Sequence, residues 1–320
     1  MKKYKSYCLA AFIFISLFQL ASGSITSPVK LALKHTSGQS ESYRLQTVSQ
    51  RKVSIEGLKP ENADILQGGQ TTDKIEILFD KQIQSTDSKG NAVEKITIKE
   101  LKYFAEVRDK AVLDFNSTKD KNPNNALAAL IGQSYTIEVT PSGKVAKIID
   151  VNNARTAIKS IPSNNEPAAR LLSDKTIERH HSIPLPDANN NELKINDTWS
   201  KVTSFDFGLM GQKAYERTYK LSKTEKSDTG IYAVIDMSAI PSVAGIKESE
   251  GRRPAALPMT DIRQTYTGQM KIDITNGTLL KYQENLKSEW LIVPPNSGQS
   301  GPPSVLNMTA IQSYDIEKIK

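Results

Sequence analysis

The sequence predicts an α+β protein. It has one large curved antiparallel β-sheet, a half-barrel, with helices from the middle of the chain packed on the concave face. Three observations predict this. Apolar and polar residues alternate through most of the chain, as in strands buried on one face. The alternating stretches follow one another across short turns and not across crossover helices, so neighbours run antiparallel. Helical composition is confined to about residues 122–181.

Tyr43-Arg-Leu-Gln-Thr-Val48 and Val53-Ser-Ile55 begin the strands. Ile75 to Phe79 and Ile96 to Ile98 flank a turn at Lys89-Gly90-Asn91, and Leu101 to Val107 forms a hairpin with Val112 to Phe115. Tyr135 to Val139 turns at Pro141-Ser-Gly143 into Lys144 to Ile148. There proline presets one φ and glycine accepts a positive one. Helices are expected over Asn122 to Ile131, Asn152 to Ile161 and Glu166 to His180, the last with Ala169, Leu172 and Ile177 near one side.

Strands return at Asp197-Thr-Trp199 and Phe205-Asp-Phe207. Tyr215 to Leu221 pairs with Ile231 to Met237 across Ser227-Asp-Thr-Gly230. Ser238 to Leu257, with Arg252 and Arg253, reads as a long exposed loop and a possible contact surface. Gln269 to Ile274 turns at Asn276-Gly277 into Leu279 to Tyr282, the strongest hairpin signal in the chain. Trp290 to Val293 and Leu306 to Ile316 close the sheet. The hairpins after Gly132-Gln133 and Gly268-Gln269 share a pattern, as two pseudo-repeats would.

Residues 1–23 have the three zones of a secretory signal peptide: a basic start with Lys2, Lys3 and Lys5, the apolar run Leu9 to Leu20, and the small residues Ala21-Ser-Gly23. Twelve residues of helix rise about 18 Å, too little for a hydrocarbon core of about 30 Å. The expected product is residues 24–320, one soluble domain in the periplasm or outside the cell, with no stable membrane span. Cys8 precedes the apolar run, so the mature chain would carry no thiol, disulfide or Cys-ligated metal. Losing the three lysines leaves 39 basic against 35 acidic residues, a surplus of +4 along the whole chain that argues against nucleic-acid binding.

No catalytic or metal constellation emerges, and no cofactor is expected. His35 falls in a segment expected to be mobile. The adjacent His180 and His181 point about 100° apart on a helix and suit a polar helix end better than a shared metal. Asp187-Ala-Asn189-Asn-Asn191 starts like a calcium loop, but Glu192 and Thr198 stand where that loop needs Gly and Glu. Ser27-Pro-Val-Lys30 and Ser49-Gln-Arg-Lys52 fit S-x-x-K outside any helix start, and Gly298-Gln-Ser300-Gly301 lacks the spacing of a nucleophile elbow. The softer lead is aromatic. Tyr103, Phe104, Trp199, Phe205, Phe207 and Trp290 fall in strands, and those facing the concave side could line a cavity for a lipid or another apolar ligand.

Tyr135-Thr-Ile-Glu-Val-Thr-Pro-Ser-Gly-Lys-Val145, Leu185-Pro186, Ile195-Asn-Asp-Thr-Trp199 and Tyr266-Thr-Gly268 with Ile272-Asp-Ile274 together resemble an uncharacterised group of secreted bacterial proteins. That group is related to the lipoprotein-carrier (LolA/LppX-like) half-barrel fold, and the resemblance spans roughly Leu31 to Lys320. It implies acyl chains held between a curved sheet and covering helices, and it carries over no functional residue. The leading expectation is an exported, non-enzymatic envelope protein that binds a lipid, another apolar ligand or an envelope partner. The alternatives are a structural module without a small ligand and a hydrolase with an unrecognised site.

Overall fold

A computed structural model describes residues 27–56, 69–120, 122, 124–161, 165–187, 191–206, 212–242, 259–292 and 305–319. The signal segment, Phe207, the loop beyond Ser242 with Arg252 and Arg253, and Gly298 to Gly301 lie outside these residues.

The alternation produces very long strands. In chain order they are β1 (Val29–Lys30), β2 (Ser40–Glu56), β3 (Gly69–Thr86), β4 (Ala92–Val107), β5 (Lys110–Asn116), β6 (Ser134–Val139) and β7 (Val145–Asp150). After three helices come β8 (Glu192–Leu193), β9 (Thr198–Asp206), β10 (Gln212–Ser227), β11 (Gly230–Ser242), β12 (Met259–Asp273), β13 (Thr278–Ile292) and β14 (Val305–Ile319). Several stretches that read as separate strands are one. Tyr43 to Val48 joins Val53 to Ile55 in β2, and Leu279 to Tyr282 joins Trp290 in β13. Ser238 to Ser242, read as loop, continue β11.

Twelve of these strands form one antiparallel sheet in the order β7-β6-β4-β3-β2-β14-β13-β12-β11-β10-β9, with β5 also paired to β4. Each half is a meander, and β2 and β14 fuse the halves along fifteen residue pairs from Val305↔Glu56 to Ile319↔Ser42. β1 and β8 make a separate two-stranded pair.

The sheet is bowed, and backbone hydrogen bonds prove it. β6, which leads into the first of the β6–β7 and β12–β13 turns, and β13, which leaves the second, are five strand spacings apart, about 24 Å in a flat sheet. Yet the consecutive residues Leu33 and Lys34 donate to both turns, at Pro141 O (2.8 Å) and Gly277 O (3.0 Å). Each turn glycine has a positive φ, +77° at Gly143 and +64° at Gly277, and each is overlain by passing chain. A Cβ at Gly277 would lie 2.3 Å from Lys34 N, and one at Gly143 would lie 2.5 Å from Ile183 O. Only glycine satisfies both the φ and the clearance.

The middle of the chain covers the inner face. α1 (Asn152–Lys159) buries Ala154 and Ile158. The helix expected over Glu166 to His180 is two, α2 (Glu166–Leu171) and α3 (Asp174–His181). The break has a local cause: Ser173 is extended and its side chain accepts from Thr176 N, capping α3. Asn122 to Ile131 yields only a 3₁₀ turn, Ala128–Leu130.

From α2 onward the chain is a strap across the concavity. Arg170 lies over the Tyr103 ring, His181 packs edge-on against Phe79, and Tyr135 Oη pairs with His181 Nε2 at 2.7 Å. Tyr314 donates to His180 O, and Trp199 Nε1 donates to Pro184 O at the far edge. Both histidines are therefore packing residues and not a solvated helix end.

The strap sets the response to acid. Burial, then the charges of Arg179 and His181, hold His180 far below its ordinary value; burial and then Lys81 push His181 down to about 3. An unfolded chain takes up these protons near pH 6.5, and the folded one does not. This stabilisation is complete above pH 6.5 and is lost as pH falls towards the folded values. Each histidine accounts for a loss on the order of 2 kcal/mol between pH 6.5 and 5, above the range where carboxylates titrate. In urea melts the wild-type midpoint falls over that interval. His181→Phe falls less, and an equal fall in both proteins would contradict the buried neutral imidazole.

Candidate functional site

Strand register decides what faces inward. Along β10 the inward residues are Tyr215, Arg217 and Tyr219; along β13 they are Tyr282, Glu284, Leu286, Ser288 and Trp290. β10 and β13 are three spacings apart, about 14 Å if flat. The bow brings them into contact. Tyr215 Oη lies 3.2 Å from Ser288 Oγ, and Lys213 Nζ sits 4.9 Å from the centre of the Trp290 ring.

A charged pair crosses the same span. Arg217 donates from Nη1 to Glu284 Oε2 (2.7 Å) and to Tyr282 Oη (3.1 Å), and from Nη2 to Thr203 Oγ1. Tyr266 Oη donates to Glu284 Oε2 at 2.6 Å. Gly268 stands opposite Glu284 on β12 and opposite Met237 on β11. It clears the path: a Cβ there would come within 3.0 Å of Met237 Sδ. The ion pair is 11% and 13% exposed, little enough for hydrogen bonding to decide its worth.

This polar band divides the inner face. Above it the large core runs from Leu31 through Leu45, Tyr314 and Ile316 to Leu221 and includes the strap. Below it Tyr215, Leu286, Trp290, Met308 and Ala310 form a second apolar cluster, flanked by the half-buried Val53, Phe205, Ala239 and Tyr266. Tyr219 Oη, Arg217 Nε and Gln264 Oε1 are buried in or beside the band without a hydrogen-bond partner among the described residues. Burial, then Glu284, pushes the Tyr266 and Tyr282 hydroxyls up, and burial does the same to Tyr219. These hydroxyls stay protonated: Tyr266 donates to Glu284, and Tyr282 accepts from Arg217.

The aromatic residues singled out in the sequence separate. Tyr103 faces inward, donates to Asp73 Oδ1 and is covered by Arg170. Phe104 lies on the opposite face, since it alternates with the inward Tyr103. Trp199 stacks on Tyr219 (5.3 Å) at one end of the polar band. Phe205 and Trp290 belong to the lower cluster, Phe205 edge-on to Tyr215. Arg217 and Glu284 are not among the residues the sequence singles out, and Gly268 enters there only as part of a strand and hairpin pattern. The available signal was the same alternation: Arg217 is flanked at i±2 by Tyr215 and Tyr219, and Glu284 by Tyr282 and Leu286. Opposite charges in the apolar register of two strands are the mark of an inward pair.

A second buried polar cluster lies at the top of the wall. Glu41 accepts from Lys81 (2.9 Å), Lys318 (2.7 Å), Tyr43 (2.9 Å), Thr278 and Gln39. Burial opposes its ionisation, but Lys81, Lys318 and Tyr43 hold its carboxyl down to about 2. His35 Nδ1 lies 3.5 Å from Glu94 Oε1, and burial favours the neutral form of both. His35, expected in a mobile segment, thus helps fasten that segment to the sheet. Among the described residues no group of His, Cys, Asp and Glu is arranged to hold a metal ion.

The class these features define is a strapped antiparallel half-barrel with a polar band across its inner wall. Residues 89–279 match a family of unknown function (DUF6263), and the chain belongs to that family. The match runs from the β3–β4 turn to the β12–β13 turn, so it includes Arg217 and Gly268 but stops short of Glu284. No curated protein matches the chain.

The ion pair makes a direct prediction. Removing one partner strands the other charge, so Arg217→Met or Glu284→Gln alone should destabilise by about 3–5 kcal/mol. The double variant should lose clearly less than the sum of the two. Urea titration of the four proteins measures this; additive losses would mean that the two groups do not interact.

Proposed function

We propose that the chain is an exported, non-enzymatic envelope protein that holds a lipid or another apolar ligand against the concave face of its sheet. One observation carries this reading. The inner wall presents half-buried apolar and aromatic residues, Val53, Phe205, Ala239 and Tyr266, around the lower cluster and below the strap, where a ligand can add to a surface already partly withdrawn from water. The basic and apolar zones of residues 1–23 support export by signal peptide with cleavage near Gly23. No helix among the described residues is long and apolar enough to cross a membrane. The strand and turn motifs resemble an uncharacterised secreted group, and the analogy of fold between that group and lipoprotein carriers supports the same reading at the level of architecture.

A second reading, an interaction module that docks an envelope partner, draws on the outer face. Val202 (46% exposed) and Ile240 (62% exposed) flank Glu216 there on neighbouring strands. Native mass spectrometry of the protein purified from its own envelope separates the two. Ligand binding predicts a population heavier by one lipid-sized mass, released on denaturation and reduced when Phe205 or Ala239 is replaced by Asp. A bare chain that also fails to take up added lipid would reject the concave-face reading.

A further inference from the structure

We propose that the corner formed by Arg217, Tyr219 and Arg179 receives the oxyanion head of an amphiphile whose apolar tail lies over the lower cluster. The inference rests on the concave-face reading and adds the chemistry of the ligand.

Nη1 and Nη2 of Arg217 are engaged by Glu284, Tyr282 and Thr203, but its Nε–H is buried without a partner. Tyr219 is fully buried on the same wall, its ring stacked on Trp199 and lying beside the Arg217 guanidinium, and its hydroxyl has no partner either. Arg179 is an exposed residue of α3 within electrostatic reach of Glu284 and Tyr314, and its side chain makes no ion pair or hydrogen bond among the described residues. Arg217, Arg179 and Glu284 therefore sum to one positive charge, and three groups able to donate lack an acceptor among the described residues. Gln264 Oε1, two residues along β12 from Tyr266, is an acceptor without a partner among the described residues. A surplus of donors and one net positive charge select an acceptor-rich anion, a carboxylate or a phosphate group.

The hydroxyl of Tyr219 is the most informative part. An unpartnered buried hydroxyl destabilises a fold, and phenylalanine would keep the Trp199 stack without it. A group retained against stability suits a partner that arrives from outside. The ligand's shape follows from the band's place: polar atoms meet the corner, and just below it Phe205, Ala239 and Val53 border the apolar cluster.

Three probes test this on the mature chain by titration calorimetry: oleate, oleyl alcohol and inorganic phosphate. Oleate should bind at least about tenfold more tightly than the alcohol, and phosphate alone more weakly than either. Tyr219→Phe and Arg179→Gln should each weaken oleate about five- to tenfold and leave the alcohol unchanged. Tyr219→Phe should also unfold at the same or a higher urea concentration than wild type, which a merely structural hydroxyl would not allow. Equal affinity for acid and alcohol, or oleate binding indifferent to both substitutions, overturns the head-group site while the concave-face reading stands. Phosphate binding as tight as oleate overturns the amphiphile in favour of a free oxyanion. Failure of both oleate and the alcohol to bind removes the concave-face reading itself.

Discussion

Leu33 and Lys34 are neighbours in the chain, and their N–H groups reach carbonyls that a flat sheet would hold about 24 Å apart. The rest of the molecule depends on that reach. Strands of fifteen to eighteen residues twist and coil, and a sheet this wide cannot stay flat. The bow gives the sheet an inside. It lets α2 and α3 touch strands from both halves, and it places β10 within side-chain reach of β13. The two turn glycines are where the bow is locked, because the covering chain lies where any Cβ would go.

The inside so created is not uniformly apolar. A buried ion pair gains little over well-packed hydrophobic residues, because desolvating both charges offsets their attraction. Its value here is one of register. A slip of β10 or β13 by one residue would turn Arg217 or Glu284 to the outer face and leave the other charge stranded. Gly268 is part of the same arrangement, since the span across β12 is open only where a side chain is missing. The upper cluster at Glu41 does similar work at the edge, tying the segment that carries Leu33 to β2, β3 and β14 through Lys81 and Lys318.

Much of the fold was legible because alternation and turn chemistry are local. Asn276-Gly277 and Pro141-Ser-Gly143 placed two hairpins correctly, and the sequential strands implied an antiparallel sheet. Strand length was not legible. β2 and β13 pass through stretches such as Ser49-Gln-Arg-Lys52 and Glu284-Asn-Leu-Lys287, where polar residues interrupt the apolar period, and only pairing with both neighbours keeps them extended. The helix break at Ser173 has a local signal in its capping side chain, yet the expected helix ran through it from Glu166 to His180. The burial of His35, His180 and His181 was not, because it depends on Phe79, Tyr135 and Glu94 arriving from distant strands. The site was half legible: aromatics are conspicuous in a sequence, whereas Arg217 and Glu284 become a pair only once the strands between them are counted and the wall is bent.

The bow can be measured directly. Spin labels at Lys144→Cys and Asn276→Cys, in a chain starting after Gly23 and so free of Cys8, sit at the two hairpin turns that Leu33 and Lys34 join. Double electron–electron resonance should give a narrow distribution centred below about 20 Å. A broad distribution centred beyond about 25 Å, towards the roughly 30 Å of a flat sheet, would contradict the bowed wall and everything placed inside it.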